Sequence, residues 1–373
     1  MKAAKRSIKG LREMQAAPLD VKIAMTKRRI REWINEWGTD GVYVSFSGGK
    51  DSTVLLHIVR EMEAEAAAAA REIGLEPRAP IPAVFVNTGL EYPEVQRFAM
   101  SQPHVVTVRP KMSFPEVVKK YGYPIVGKKQ ARFIRDLQNA SEKNKATVNL
   151  RLTGMNRVGK FVKSMKLATK WLFLKDAPFK VSEQCCDEMK KKPFKEYQKK
   201  TGRVPIIATM AAESDLRTKD WMTNGCNAFS KKQPKSAPMS FWTEQDVLLY
   251  LKQYDVPYCS VYGDIVSTDE DGNLYDILPD YLELWGEIGE MPTLTTTGCK
   301  RTGCIFCCFG CHLEEAPNRF QRLARTHPRQ YNYCINGGEY VDGKWQPSKD
   351  GLGTGKVLDF IGVDYKPLPQ QNE

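Results

Sequence analysis

Residues 45 to 52 read Ser45-Phe46-Ser47-Gly48-Gly49-Lys50-Asp51-Ser52, directly after the apolar run Val42-Tyr43-Val44 and directly before Thr53-Val54-Leu55-Leu56-His57. These residue types suit the capture of a phosphate anion. Two consecutive glycines let the backbone come close and take positive φ, and the amides opening a helix, at the positive end of its dipole, favour negative charge. Lys50 adds a mobile cation, Ser47 and Ser52 add hydroxyl donors, and Ser45 closes the strand side of the set. Asp51 suits either a magnesium ion or a helix cap. The competing reading is an ordinary strand-to-helix turn that uses Gly-Gly for geometry and Asp51 or Ser52 for capping.

Cysteine is the second concentration of chemistry. The chain has ten, and five of them fall in Cys299-Lys300-Arg301-Thr302-Gly303-Cys304-Ile305-Phe306-Cys307-Cys308-Phe309-Gly310-Cys311. The N-terminus shows no apolar signal segment, so disulfides are disfavoured and clustered thiols point to metal binding or redox work. Cys304-x-x-Cys307 lets two thiolates reach one metal from a single turn, and two further ligands must come from elsewhere. Cys185-Cys186 is a second pair far upstream. Zinc held by a subset of Cys299, Cys304, Cys307, Cys308, Cys311 and His312 is the rival to a cluster, and unligated buried thiols are the third reading. Cys226, Cys259 and Cys334 read as small buried hydrophobes.

The elements that must position these groups follow from periodicity. Residues 20 to 37 carry helical apolar spacing and stop at Gly38, and residues 53 to 73 continue helically to Gly74. Ile81 to Val86, His104 to Val108 and Ile206 to Met210 read as short apolar strands. Strands alternating with helices imply an α/β fold with a mostly parallel sheet, whose ligands sit beyond the carboxyl ends of the strands. The loops at 45 to 52, 87 to 94 and 210 to 217 are the ones to converge there.

The chain's 373 residues exceed one average domain. The phosphate-type loop and the polar, Lys/Pro-containing stretch Ser230 to Pro238 together suggest a basic helical segment at 1–37, a nucleotide-binding α/β domain at 38–230 and a cysteine-rich accessory domain at 231–373. The net charge of +12 attracts polyanions: nucleic acid is one candidate, and solvated helix faces plus a pocket for a multiply charged nucleotide are the alternative. No apolar run approaches the roughly 20 residues that span a bilayer, so the expected location is cytoplasmic. Residues 312 to 335 read as a basic helix-like stretch in which Arg319, Arg322, Arg325 and Arg329 face either a polyanion or solvent. Gly154 to Lys160 approaches the other common phosphate loop, but Phe161 stands where that pattern needs a hydroxyl.

The string SGGKDS after a hydrophobic strand resembles the signature loop of the PP-loop ATP pyrophosphatases, the superfamily that includes the phosphoadenosine phosphosulfate (PAPS) reductases. Asn87-Thr88-Gly89-Leu90-Glu91-Tyr92-Pro93-Glu94 is similar to the family's D-T-G-x-x-x-P-E segment, with Asn87 in place of the acid. Ala208 to Arg217 resembles T-G-x-R-x-x-E-S-x-x-R: Glu213, Ser214 and Arg217 fit, whereas the glycine and first arginine are missing. Lys128, Lys129 or Arg132 are candidates to replace that arginine. The alternative for Glu213 with Arg217 is an i, i+4 helix pair worth about 0.3 kcal/mol. Pro238 to Tyr258 looks like the family's W-T-x-x-D-V helix leading to V-P-Y.

The resemblance implies a Rossmann-like (HUP-type) sheet with helices on both faces and a smaller cysteine-rich C-terminal region. It implies binding of ATP, adenylyl sulfate or PAPS with Mg2+ through Ser45, Ser47, Gly48, Gly49, Lys50, Asp51, Ser52, Asn87, Thr88 and Gly89. Lys50, Asp51, Ser52, Glu213 and Arg217 become the catalytic candidates. The tandem Cys-Cys with a distant C-x-x-C is similar to the [4Fe-4S] arrangement of adenylyl-sulfate reductases, which makes Cys185, Cys186, Cys304 and Cys307 the leading ligand set. Cys308 and Cys311 are possible replacements, and zinc is the alternative metal. Thiol-dependent sulfonucleotide reductases carry an E-C-G-x-H-type tail, and no cysteine follows Cys334 here. The favoured expectation is therefore ATP cleavage to AMP and pyrophosphate for sulfur incorporation, with a sulfur donor such as a cysteine desulfurase and nucleic acid as one acceptor. The alternatives are a sulfonucleotide reductase using Cys334 or Cys308 with thioredoxin, and a non-catalytic nucleotide-sensing or nucleic-acid-binding subunit. Self-association is left open.

Overall fold

In the computed structural model, residues 6–229, 232–269, 271–277 and 292–369 are described. The start of the basic cluster at Lys2 and the boundary residues 230 and 231 lie outside them. The chain forms two compact units, each drawn from separated stretches. The first holds Met1–Asn87, Glu91–Arg109 and Phe194–Gly303, and the second holds Thr88–Leu90, Pro110–Pro193 and Cys304–Glu373.

The first unit is built on one sheet. Its strands are β1 (Val42–Phe46), β2 (Ala83–Val86), β3 (Val105–Val108), β5 (Val204–Ile207), β6 (Asn227–Ala228) and β7 (Lys235–Ser236), while β4 (Ile125–Val126) belongs to the second unit. They lie in the order β3-β2-β1-β5-β7-β6. β1 runs parallel to both neighbours, with Val44 opposite Ala83 on one side and Ile206 on the other. The β2–β3 and β5–β7 pairs are also parallel, and β6 alone is antiparallel. Uninterrupted apolar runs suit this arrangement because helices cover a parallel sheet, and every residue of β2 is buried. The fold is thus α/β with a mostly parallel, Rossmann-like sheet flanked by helices, as the alternation of periods implied.

The helix Leu19–Trp37 ends at Gly38 with φ 74°, a conformation a glycine adopts without strain. Its Ile30 and Trp33 join Val54, Leu55 and Ile58 of the helix Lys50–Glu72 in one core with Val42, Val44, Phe46 and Ile206. Burying each such side chain contributes about 2 kcal/mol. Strand β5 begins two residues before the expected Ile206 and stops at Ile207. Beyond it the amide of Met210 turns to Glu213 Oε2 at 2.9 Å, which removes it from any ladder. Since β2 and β5 flank β1 on opposite sides, the strand order reverses at β1. A ligand crevice in such sheets lies outside the carboxyl ends at that reversal.

The second unit contains the cysteine-rich C-terminal region. Its ladder between β4 and the short strand Cys308–Phe309 is two residues long and parallel, with Ile125 opposite Cys308. The stretch from 312 to 335 holds two helices, Arg319–Thr326 and Pro328–Ile335, after a non-helical segment at 314–318. Pro328 disfavours helical geometry for the residue before it, and His327 sits at φ −139°, ψ 65° between them. Gly154 closes the helix Lys145–Thr153 in the left-handed region, and Met155 bridges Phe161 antiparallel. The near-match at 154–160 is therefore a tight turn without the following helix that a phosphate loop needs. No described helix is long and apolar enough to cross a membrane.

Candidate functional site

The loop after β1 is held by its own polar atoms. Ser47 N–H donates to Ser52 Oγ at 3.2 Å, the two serine hydroxyls lie 2.9 Å apart, and Gly49 N–H donates to Ser47 Oγ at 3.3 Å. Ser52 Oγ and Thr53 Oγ1 both donate to the Gly49 carbonyl. Gly48 has φ 72°, and a Cβ there would stand 3.0 Å from the Val95 carbonyl oxygen and 3.1 Å from Ala99 Cβ. Only glycine satisfies both restrictions. Gly49 is the N-cap of the helix, with no side chain capping it, so Asp51 and Ser52 do not do the capping work of the ordinary-turn reading. Ser45 is paired within β1, opposite Val84 and Ile207.

Asp51 is the residue without an internal explanation. Its Oδ1 is buried with no hydrogen-bond partner, and burial raises its pKa against the opposing pull of Lys50 and Arg301. A carboxylate left in this state is what a bound cation would satisfy. Magnesium therefore fits Asp51 by donor chemistry.

Lys50 departs from the expectation of a mobile cation. It is 5 % exposed, and its Nζ donates to Glu244 Oε1 at 2.6 Å and to the Lys300 carbonyl at 2.7 Å. The capping box of Thr243 with Asp246 sets the first turn of the helix Glu244–Gln253 and with it Glu244. Tyr262 completes the surround: its hydroxyl accepts from Lys50 N–H at 3.3 Å and lies 2.7 Å from Thr302 Oγ1. Sequence reasoning missed Glu244, Tyr262, Lys300 and Thr302. Glu244 had a trace in Trp242-Thr243-Glu244-Gln245-Asp246-Val247, whereas nothing local marks Tyr262 or residues 300 to 302.

The segment after β5 reaches the same end of the sheet. Glu213 lies in a short turn, Ser214 caps the next helix, Asp215–Asn224, and Arg217 is inside it. Glu213 and Arg217 form an ion pair, but the cap between them means that it is not a pair along one helix. Arg301 Nη2 donates to Glu213 Oε1 at 3.1 Å, so two guanidiniums share one carboxylate. The pKa of Arg217 is lowered, first by burial and then by the charge of Arg301. At the end of β2, Asn87 is buried, and its Nδ2 donates to Met100 Sδ at 3.8 Å. Thr88, assigned to the second unit, accepts from Leu90 N–H at 3.1 Å, and Gly89 has φ 72°.

In the second unit Cys185, Cys186, Cys304 and Cys307 line one cavity of about 20 Å³ with Leu90, Phe114, Pro124, Met189 and Lys190. Cys307 N–H closes the turn on the Cys304 carbonyl at 3.0 Å, and Ile305 N–H is tied to the Leu90 carbonyl at 2.7 Å. The Cys186 thiol is shifted down by its hydrogen bond from Cys185 and then by Lys128, while that bond shifts Cys185 up. Lys128, considered above as an anion anchor, thus attends a thiol. The four-sulfur donor set suits an iron-sulfur cluster or zinc. Among the described residues, however, no three His, Cys, Asp or Glu side chains are drawn together as a metal cage. Arg319 is also accounted for within this unit, bonded to Glu314 and to the Cys307 carbonyl, and so is not a solvated face. A roomier cavity of about 340 Å³, lined by Ala146, Thr147, Leu150, Asn156, Arg157 and Val158, carries no thiol, imidazole or carboxylate.

A doubly wound α/β domain with a glycine-serine loop at the strand-order reversal is the class that fold and site define. The phosphoadenosine phosphosulfate reductase domain model matches residues 41–162 and 157–308, well over half of the chain, and the protein belongs to that family. Among solved structures it aligns with phosphoadenylyl-sulfate (PAPS) reductase from Candida auris, in a phosphate complex, at 13% identity and a TM-score of 0.35, covering 68% of this chain and 90% of that one. No curated protein matches the chain significantly.

Proposed function

We propose that the protein is an adenine-nucleotide-dependent enzyme of sulfur chemistry that cleaves ATP to AMP and pyrophosphate in order to activate an acceptor for sulfur incorporation. Family membership supports a sulfonucleotide-related activity at the coarser level. The observation that carries the finer reading is the loop itself: a cramped Gly48-Gly49 turn, hydroxyls of Ser47 and Ser52, and the unsatisfied Oδ1 of Asp51 at one helix start.

In this reading the amides of Gly48, Asp51 and Ser52 hold the β,γ-phosphates and stabilise them as the leaving group, those of Gly49 and Lys50 being engaged by Ser47 and Tyr262. An acceptor oxygen attacks the α-phosphorus, the α–β bond breaks, and pyrophosphate leaves. A sulfur nucleophile then displaces AMP from the activated acceptor. Magnesium, held by Asp51, would neutralise phosphate charge. Glu213 and Arg217 orient the nucleotide from the β5 side. In the second unit Cys185, Cys186, Cys304 and Cys307 would hold a [4Fe-4S] cluster, with zinc as the alternative, and that group would supply either a sulfur-binding iron or structural order. A sulfur-donor protein and a nucleic-acid acceptor are the partners this scheme requires.

The reductase alternative needs an accessible nucleophilic thiol and a thioredoxin-type reductant. Its candidates are unsuited: Cys334 is fully buried with its pKa pushed up to about 12, and Cys308 is 1 % exposed. Paired assays on anaerobically purified protein decide between the readings. Pyrophosphate release from ATP with tRNA or duplex DNA present, reduced at least tenfold in Asp51→Asn, is the expected result. Sulfite release from adenylyl sulfate or PAPS with thioredoxin, without pyrophosphate from ATP, would reverse it. Binding of ATP with neither product would favour the non-catalytic subunit.

A further inference from the structure

We propose that Arg301 is an anion-binding residue of the nucleotide site, taking the distal anionic group of the bound nucleotide's phosphate chain. This rests on the nucleotide reading of the loop and adds a residue outside the segments that suggested it.

The placement is geometric. Arg301 reaches Glu213 Oε1 at 3.1 Å, and the same carboxylate pairs with Arg217. Two guanidiniums share that carboxylate, and Asp51, the other acid in their field, is assigned to magnesium in the nucleotide reading, so positive charge remains for a further anion. Lys50, the obvious cation of the loop, is already committed to Glu244 and the Lys300 carbonyl in a buried arrangement, and releasing it breaks both bonds. Arg301 is different: its side chain is 62% exposed and bonds to Glu213 through one of five N–H donors.

The backbone carrying Arg301 is anchored on both sides. Gly298 N–H donates to the Tyr262 carbonyl at 2.8 Å and Cys299 N–H to the Val261 carbonyl at 2.9 Å. Lys300 O receives Lys50 Nζ, and Thr302 Oγ1 lies against the Tyr262 hydroxyl. Gly298 is needed for this approach, since a Cβ there would stand 2.6 Å from the Val261 carbonyl oxygen. A fixed base with an exposed guanidinium beside the loop is suited to bidentate phosphate or sulfate recognition, because the ordering cost is confined to one side chain.

Calorimetric titration of the full chain with Mg-ATP, adenylyl sulfate and AMP tests this. Arg301→Ala should weaken ATP and adenylyl sulfate by about tenfold or more while leaving AMP, which lacks the distal group, within twofold. Arg301→Lys should fall between, since it keeps charge but not the fork. Arg301→Gln, measured with unfolding midpoints for all variants, separates a binding loss from a folding loss. Unchanged ATP affinity in Arg301→Ala, or equal losses for ATP and AMP, would overturn the assignment alone. Failure of the wild-type chain to bind any of the three would overturn the nucleotide reading together with it.

Discussion

Between β1 and the helix Lys50–Glu72, consecutive residues supply the polar groups of the loop, and backbone geometry holds them. In the thiol cavity of the second unit, four side chains arrive from two segments far apart in the chain, and only packing brings them to one place. The shape of the loop follows from the positive φ of Gly48 and from hydrogen bonds of Ser47 and Ser52 that close within a few residues, so its geometry has local support. The thiol cavity has no such reserve: each sulfur is a separate side chain, and losing one removes a quarter of the donor set.

That contrast predicts all-or-none behaviour on one side and graded behaviour on the other. Serine at any one of Cys185, Cys186, Cys304 or Cys307 should reduce iron and sulfide, or zinc, in anaerobically purified protein to near zero, while Cys226→Ser keeps the wild-type content. Retention of full metal in all four variants would remove the cavity as a metal site.

At the loop the largest effect belongs to a glycine. Gly48→Val forces a β-branched residue to φ 72° and into the Val95 carbonyl, and should cost about 3 kcal/mol or more in denaturant unfolding, with loss of ATP binding. Gly89→Val is the matched control, with the same φ and nothing within 4 Å of the added Cβ, and should cost only about 1 to 2 kcal/mol. Equal costs would show that the close approach at Gly48 contributes nothing.

Smaller effects come from the side chains that surround Lys50. Glu244→Gln leaves a buried ammonium with the Lys300 carbonyl as its remaining partner from this pair of bonds and should cost about 2 kcal/mol, moderated because Glu244 is half exposed. Saturating ATP should recover part of that loss by supplying a replacement anion, a result readable in unfolding midpoints with and without nucleotide. Tyr262→Phe, which removes the hydroxyl between Lys50 N–H and Thr302, should cost about 1 kcal/mol and leave metal content unchanged.

Local patterns were legible because local physics dictates them. Apolar runs without alternation mark β1 and β2 in the covered part of the parallel sheet and β3 at its half-exposed edge, and Gly38 ends its helix where the periodicity stops. The loop at 45 to 52 was readable for the same reason, since its hydrogen bonds close within a few residues. Misreadings arose where a group's partner lies far along the chain. Lys50 looked like a mobile cation because Glu244 and Lys300, which bind it, carry no local sign of doing so. The strand expected at Ile206 to Met210 is the exception, since its early end at Ile207 has a local cause: the Glu213 side chain, three residues ahead, takes the Met210 amide.

Residue order alone therefore established the α/β class, the family likeness and the glycine-serine loop, since these depend on backbone conformation and short-range periodicity. Folding in three dimensions determined which charges neutralise one another, that Arg301 joins Glu213 and Arg217, and that Cys185 and Cys186 share a cavity with Cys304 and Cys307. Side-chain interactions act over a few ångströms irrespective of separation along the chain, so such pairings come into existence only once the sheet and its crossovers have brought the distant segments together.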